Sequence, residues 1–189
     1  AIRAAVGDDF PVGVRLNLDE QMPGGHTIAE SIPVARALEK AGVNFIDSYT
    51  GWHESSVPTV APSVPKGGFA HLAGAIRGVV GIPVIAANRI NDPFTAEKIL
   101  SAGQADLVGM ARALLADPEL PNKAREGRTD EIVPCIACSR CLGEIMSIYK
   151  SWGDGTNAFC SVNPLAGREG ECRLEPAGKS KKVFVVGGG

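Results

Sequence analysis

The chain has 189 residues, about one domain on the usual prior of roughly 150 residues each, and 44% of them are hydrophobic. Nineteen Lys and Arg against 21 Asp and Glu give a net charge of −2, which disfavours a nucleic-acid backbone or an acidic membrane as partner. No apolar run is long enough to span a membrane, and residues 1–10 lack the apolar segment of a secretory signal. We therefore expect a protein that binds neither nucleic acid nor membrane.

The cysteines point to a reducing compartment. There are five, an odd number, and four of them fall within residues 135–160. This clustering favours an intracellular metal or cluster site over the disulfide framework of a secreted domain. The sequence therefore predicts a cytoplasmic location.

Residues 1–130 alternate short apolar runs with longer amphipathic ones, a pattern typical of strands joined by crossover helices in a parallel sheet. Four consecutive strand–helix units amount to half of an eight-unit (β/α)8 TIM barrel, an α/β fold. The predicted strands are Val12–Leu18, Asn44–Ser48, Pro83–Ala87 and Asp106–Met110.

Helix-like stretches flank these strands. Asp92 followed by Pro93 suits a helix start, because Asp accepts free amide hydrogens as N-cap and Pro fits the first helical position. Asp117 with Pro118 repeats this pair. The predicted helices are Ala1–Val6, Ile28–Ala41, about Ala70–Val80, one opened by Asp92 and closed by Gly103, and one opened by Asp117 that stops near Gly127.

The alternation ends near Val133, and residues 131–178 read as a small irregular module. A basic linker, Lys179–Lys182, then precedes an apolar strand, Val183–Val186, that runs into Gly187, Gly188 and Gly189. A strand that enters glycines is how a dinucleotide-binding βαβ unit begins. Residues 179–189 are therefore predicted to start such a domain, with the sequence cut at both ends.

Cysteine spacing is the most specific local signal. Cys135, Cys138 and Cys141 form a C-x2-C-x2-C triple, and Cys160 follows after 18 residues. A compact triple with a remote fourth thiolate fits an iron-sulfur cluster better than structural zinc, whose ligands usually come in two pairs. Zinc and plain reduced thiols stay open as alternatives. Cys172 reads as a surface thiol that could be mistaken for the fourth ligand.

Several segments together resemble one family. They are GWHESSVPTVAPSVPKGGFAHL at 51–72, NRINDP at 88–93, ADLVGMARALLADPEL at 105–120, and CIACSRCL followed by CSVNP at 135–164. Their order and spacing resemble the bacterial 2,4-dienoyl-CoA reductase branch of the old yellow enzyme family. The trimethylamine dehydrogenase group is a near relative and shares the two-residue gap between the second and third cysteines, where dienoyl-CoA reductases usually have three.

The resemblance implies a layout and a set of cofactors. Residues 1–130 would be the C-terminal half of an FMN-bearing barrel, residues 131–178 a 4Fe-4S module, and residues 179–189 the start of an FAD- and NAD(P)H-binding domain. Gly187 and Gly189 would contact the cofactor of that last domain.

Arg15 matches the family arginine beside the flavin N1 and O2 edge, where a positive charge favours the anionic reduced flavin. On the residues alone, it could equally end an ion pair with Asp19 or Glu20, because buried charges are paired.

Further FMN contacts follow from the same resemblance. Arg89, Ala111 and Arg112 match the family's phosphate and ribityl contacts, and Gly109 and Met110 would line that site. This placement agrees with the phosphate site that barrels build from the loops after their last two strands. Without the resemblance, Arg112 could be an ordinary solvated helix residue.

His53 is the catalytic candidate. It corresponds to the family histidine over the flavin, and it could donate a hydrogen bond to a thioester or ketone oxygen as hydride arrives at the β-carbon. His26 and His71 are assigned no role.

Three functions are compatible with these residues. The first is an NAD(P)H-dependent ene reductase that acts on the activated C=C bond of an enoyl thioester or enone, with electrons passing through the cluster. The second is an amine dehydrogenase of the trimethylamine dehydrogenase type, with Trp52 and Tyr49 as cage residues for a cationic substrate. The third is a truncated piece that binds metal without chemistry of its own.

Overall fold

Four short parallel strands form one sheet, and each strand pairs with the next along the chain in the order β1-β2-β3-β4. The computed structural model describes residues 1–51, 55, 57–143, 159–172, 175 and 178–186. This order of parallel neighbours is that of consecutive βα units in a TIM barrel, as the sequence predicts. The strands are β1 (Gly13–Asn17), β2 (Phe45–Tyr49), β3 (Val84–Ala86) and β4 (Leu107–Val108).

Helices follow every strand, which a parallel connection requires. In the described part of the chain, no helix is long and apolar enough to cross a membrane. The helices are α1 (Ile2–Val6), α2 (Ile28–Lys40), α3 (Ala70–Arg77), α4 (Pro93–Ser101), α5 (Arg112–Ala116) and α6 (Leu120–Arg125), with a 3-10 turn at Thr129–Glu131.

The core lies between the sheet and its helices. Ile46 of β2 and Val84 of β3 are fully buried, as are Ala35 of α2 and Ile76 of α3. Burying one such aliphatic side chain contributes about 1.5–3 kcal/mol, so this layer holds the helices against the sheet. The strands are thereby fixed with their carboxyl ends at one edge.

The predicted cap at Asp92 is confirmed. Its Oδ1 accepts a hydrogen bond from the Thr95 amide at 2.8 Å, and Pro93 is the first residue of α4. Burial raises the pKa of Asp92, but hydrogen bonds from Lys66 and Thr95 outweigh it and leave the pKa below its usual value. The start of α4 is thus fixed directly after the loop that follows β3.

The predicted helix start at Asp117 is wrong. The short helix α5 ends at Asp117, and α6 begins only at Leu120. The carboxylate of Asp117 accepts hydrogen bonds from the amides of Glu119 at 3.0 Å and Val133 at 2.9 Å, and from Lys123 Nζ at 2.7 Å. These three partners determine the position of the Asp117 side chain, which does not cap a helix that begins at the next residue.

We expect Asp117→Asn to lower the free energy of unfolding at neutral pH by about 3 kcal/mol, because it leaves the ammonium of Lys123 buried without a countercharge. The side chains of Asp117 and Lys123 are only 5% and 17% exposed. Burial raises the pKa of Asp117, but the hydrogen bonds from Lys123 and Val133 outweigh it, so the pKa is lowered. The contribution of ionised Asp117 to the free energy of unfolding is therefore complete above the pKa of about 3.9 that it has in the unfolded chain. It is lost as the pH falls through the lower pKa of Asp117 in the folded protein.

Urea unfolding of the purified protein between pH 7 and pH 3 measures this effect. The difference between wild type and Asp117→Asn should shrink at the acid end, and Asp130→Asn, at an exposed carboxylate, should show no such difference. A penalty for Asp117→Asn that is the same at every pH would contradict this account.

Candidate functional site

A cavity of about 310 Å³ opens at the carboxyl ends of the strands. Barrel enzymes place their active sites at this edge. All six described residues that the family resemblance assigns to FMN line it, so the structure brings them together: Arg15, Arg89, Gly109, Met110, Ala111 and Arg112.

Arg15 makes a cross-strand pair at the base of this cavity. Its register partner on β2 is Asp47, and Arg15 Nη1 lies 3.3 Å from Asp47 Oδ2. The guanidinium also lies over the ring of Tyr49, 5.2 Å from its centroid. The ion-pair partner is therefore Asp47, and not Asp19 or Glu20. Because the Arg15 side chain is still 59% exposed, it can also contact a ligand in the cavity.

Asp47 is a site residue that the sequence analysis missed. Burial raises the pKa of its carboxyl group, and the charge of Arg15 opposes that rise. The register of β1 against β2 places Asp47 directly beside Arg15, and a one-residue shift would move it to the other face of the sheet. Its position near the end of a predicted strand was the available signal.

The loop after β3 has an unusual backbone. Asn88 and Arg89 have φ values of 71° and 57°, in the left-handed region. Asn tolerates this region, but for most residues such a conformation costs on the order of 1–3 kcal/mol and is found mainly at functional sites. Arg89 Nε donates a hydrogen bond to the carbonyl of Val64 at 3.0 Å, which fixes the guanidinium at the cavity wall.

Positive charge is concentrated on this wall. Burial lowers the pKa of Arg89, and repulsion from Arg112 lowers it further. Two guanidinium groups that repel each other across a cavity are stabilised by an anion between them, and guanidinium groups suit phosphate because they present several N–H donors in one plane. The wall is therefore suited to a phosphate group.

Asn91 carries an unsatisfied acceptor. Its side chain is 6% exposed, and its Nδ2 donates a hydrogen bond to the carbonyl of Cys135 at 2.7 Å. Among the described residues, its Oδ1 is buried with no hydrogen-bond partner, and the residue lines the cavity. A buried acceptor left unpaired costs about 1–3 kcal/mol, which a ligand hydroxyl or N–H group would recover.

A second, smaller cavity holds the four predicted ligand thiols. Its walls between the sulfurs are apolar, and Cys172 is not among its described lining residues. The surroundings of Cys141 are consistent with this clustering: burial raises its thiol pKa, and the nearby Cys135 and Cys160 raise it further. The lining residues are Arg112, Leu115, Cys135, Ile136, Cys138, Ser139, Cys141, Cys160, Ser161 and Val162.

The backbone wraps closely around these thiols. Ala137 and Ser139 have φ values of 56° and 57°, and the amide of Ala137 lies 3.4 Å from Cys135 Sγ as a hydrogen-bond donor. Cys138 Sγ lies 3.3 Å from Ser161 Oγ, and this hydrogen bond lowers the pKa of the Cys138 thiol. The hydrogen bond to Ser161 thus favours the ionised form of the Cys138 sulfur, which is the form that binds metal, whereas burial disfavours that form at Cys141.

Within the described residues, no group of three or more His, Cys, Asp or Glu is placed to hold a metal ion. A single tetrahedral zinc with bonds of about 2.3 Å to sulfur requires its thiolates to lie about 3.8 Å apart.

Two asparagine amides anchor the cysteine segments beside the first cavity. Asn91 holds the carbonyl of Cys135, and Asn163 Nδ2 donates to the carbonyl of Leu115 at 2.9 Å. Neither contact was predicted, because the residues in each pair are more than 40 positions apart in the chain. As a result, the two cavities adjoin.

Four predicted site residues lie outside the described residues: Trp52, His53, Gly187 and Gly189. The other two histidines make local contacts. His26 Nε2 lies 2.6 Å from Ser31 Oγ, and His71 Nδ1 lies 3.1 Å from the carbonyl of Gly68.

Comparison with known proteins identifies the family. Residues 1–131 match the NADH:flavin oxidoreductase / NADH oxidase family. The chain belongs to this family. The predicted resemblance to old yellow enzyme-like proteins is thereby confirmed, and so is the parallel α/β fold of part of a barrel.

Similar proteins include both reductases and an amine dehydrogenase. Over its whole length, the chain is 47% identical to a metal reductase from Desulforamulus reducens, and the match covers 27% of that protein. It aligns with the complex of 2-naphthoyl-CoA reductase and 2-naphthoyl-CoA at a TM-score of 0.83 and 36% identity, covering 96% of this chain and 27% of that one. Histamine dehydrogenase from Rhizobium sp. 4-9 aligns at a TM-score of 0.73 and 30% identity, covering 89% of this chain and 23% of that one. The chain spans between 27% and 30% of the length of curated relatives.

Proposed function

We propose that the protein is an FMN- and 4Fe-4S-dependent oxidoreductase that reduces an activated C=C bond, of the enone or enoyl thioester type, with electrons from NAD(P)H. One observation carries the proposal: the cavity lined by the FMN candidates and the cavity lined by the four thiols share Arg112 and Cys135. A flavin and a cluster in these two places would be neighbours, which one-electron transfer between them requires.

FMN fits the larger cavity by the chemistry of its lining. Arg89 and Arg112 supply positive charge for a phosphate, and the unpartnered Oδ1 of Asn91 supplies an acceptor for a hydroxyl group. Arg15, on the neighbouring strand, supplies the cation that suits the pyrimidine edge of a flavin. A cavity of about 310 Å³ is at the small end of the usual range for ligand sites, roughly 300–1,000 Å³.

A 4Fe-4S cluster fits the smaller cavity. Its four sulfurs, its apolar walls of Leu115, Ile136 and Val162, and its amide donors match what such clusters require. We assign Cys135, Cys138, Cys141 and Cys160 as its ligands, and residues 131–178 as the module that carries them.

In this mechanism the residues bind, orient and supply charge. When bound, FMN supplies hydride transfer and the cluster supplies one-electron transfer. Arg15 favours negative charge at the flavin edge, and Asp47 keeps that guanidinium in place. His53 donates a hydrogen bond to the substrate carbonyl oxygen and stabilises the enolate that forms as the β-carbon accepts hydride.

The remaining assignments complete the electron path. We assign residues 1–130 to the FMN-binding barrel and residues 179–189 to the start of an FAD- and NAD(P)H-binding domain, where Gly187 and Gly189 would approach the cofactor. A nicotinamide delivers two electrons together, so a cluster held by the four cysteines would supply one-electron transfer between two separate flavins.

The amine dehydrogenase alternative rests on the likeness to histamine dehydrogenase. Two features of the cavity disfavour it. The Tyr49 ring, which would contact a cationic substrate, already lies under the Arg15 guanidinium. Three arginines against one carboxylate, Asp47, also give the described lining an excess of positive charge, which repels an amine cation.

The test begins with anaerobic purification of the protein and with analysis of iron, acid-labile sulfide and flavin. We expect iron and sulfide in equal amounts together with FMN, followed by NADH or NADPH oxidation that depends on 2-cyclohexenone or a 2,4-dienoyl thioester. Trimethylamine oxidation with a ferrocenium acceptor, in place of enone reduction, would favour the amine reaction. Zinc without sulfide, or protein without flavin, would contradict the proposal itself.

A further inference from the structure

Arg112 occupies the wall between the two cavities. It is the first residue of α5, it is half-buried, and it lines both the FMN cavity and the cysteine cavity. Its Nη1 donates a hydrogen bond to the carbonyl of Val60 at 3.0 Å, which holds the guanidinium in place from a segment 52 positions away. Apart from Cys135, it is the only described residue that lines both cavities.

A fixed cation in that position acts on charge in both cavities. The family resemblance uses Arg112 only for FMN, but Arg112 also lines the second cavity together with Cys138 and Cys141, so its charge lies beside the proposed cluster ligands. Reduction adds one negative charge to a cluster that already has four thiolate ligands. A neighbouring cation stabilises the reduced state more than the oxidised state, because the reduced cluster has one more negative charge.

We propose that Arg112 raises the reduction potential of the cluster and so makes transfer of an electron onto the cluster more favourable. This inference rests on the proposed function, since it requires a cluster on the four cysteines. It assigns to Arg112 an electrostatic role in electron transfer, separate from its contact with FMN. No other described arginine lines the cysteine cavity, although the charge of Arg89 also reaches Cys135.

The experiment compares cluster potentials in Arg112→Gln, Arg112→Lys and wild-type holoprotein, by redox titration followed with the EPR signal of the reduced cluster. We expect Arg112→Gln to make cluster reduction at least tenfold less favourable, about 59 mV for a one-electron couple, and Arg112→Lys to give a smaller change. The same shift should persist after FMN is removed, because the charge acts on the cluster directly.

Arg15→Gln is the matched control. It removes the same charge from the FMN cavity by the same substitution, but Arg15 does not line the cysteine cavity. It should leave the cluster potential at the wild-type value. An equal shift in Arg15→Gln, or no shift in flavin-free Arg112→Gln, would overturn the inference.

A measurement on wild-type protein covers the case in which Arg112→Gln does not retain its cluster. Protein labelled with ¹⁵N in its arginine side chains should show a guanidinium nitrogen coupled to the reduced cluster by ENDOR spectroscopy, and Arg112→Lys should lack that coupling. Absence of the coupling in wild type would also overturn the inference. A wild-type protein without iron would instead contradict the proposed function.

Discussion

Cys160→Ala protein is expected to lose most of its iron and sulfide, from about four irons per chain to less than one, whereas Cys172→Ala protein keeps them. The two cysteines are a matched pair, because both are half-buried and free, and both follow the C-x2-C-x2-C triple in the sequence. Only Cys160 lines the cavity with the other three thiols. A cluster with three protein ligands exposes one iron to solvent and oxygen, and loss of that iron starts the breakdown of the remaining cluster.

Iron and sulfide analysis, with the visible absorption spectrum, measures this difference on anaerobically purified protein. NAD(P)H-driven turnover of Cys160→Ala should fall more than 100-fold, because electrons no longer reach FMN. Flavin reduced directly by dithionite should still reduce the substrate, which separates loss of the cluster from unfolding. Equal iron in both variants would show that Cys160 is not a ligand. Loss of iron only in Cys172→Ala would show that Cys172, and not Cys160, is the fourth ligand.

The second large effect is expected at Arg89, where Arg89→Asn should weaken FMN binding by about 10- to 150-fold. This range corresponds to one charge-assisted hydrogen-bonded contact of about 1.5–3 kcal/mol. Asn is the suitable replacement because the φ of Arg89 is 57° and Asn tolerates the left-handed region. The substitution therefore removes the guanidinium with little added backbone strain.

The dissociation constant of FMN for flavin-free protein, followed by quenching of flavin fluorescence, measures this change. Arg125→Asn is the control, since that side chain is exposed and lies outside the cavity. Its affinity for FMN should equal that of the wild type. An unchanged dissociation constant for Arg89→Asn would mean that FMN is held by other residues of the wall.

Local patterns predicted much of the fold. The apolar strand at Val12–Leu18 is observed as Gly13–Asn17, and the helix predicted at Ile28–Ala41 is observed as Ile28–Lys40. The start at Asp92 is confirmed because the acceptor and the amide it caps are three residues apart. Such signals depend on neighbours in the sequence, so the sequence contains them in full.

The incorrectly predicted helix start at Asp117 shows that a local capping pattern does not always determine where a helix begins. The same Asp-Pro pair that caps α4 occurs there, but the carboxylate bonds to Lys123 and to the amide of Val133, 16 residues away. A residue with a buried cation as partner is positioned by that partner, because leaving the cation unpaired would cost more than losing a cap. Nothing in the local pattern distinguishes the two cases.

By itself, the sequence determined the parallel βα order and the cysteine motif, because each depends on residue type and spacing along the chain. The family resemblance of its segments supplied the candidate flavin contacts, such as Arg15 and Arg89. Only the tertiary structure decided that Asp47 pairs with Arg15, that Asn91 beside the cavity has a buried oxygen without a partner among the described residues, and that Arg112 lies between flavin candidates and thiols. These are contacts between separate strands and loops. Sheet register and the burial of polar groups fix them, and both arise only when distant segments pack together.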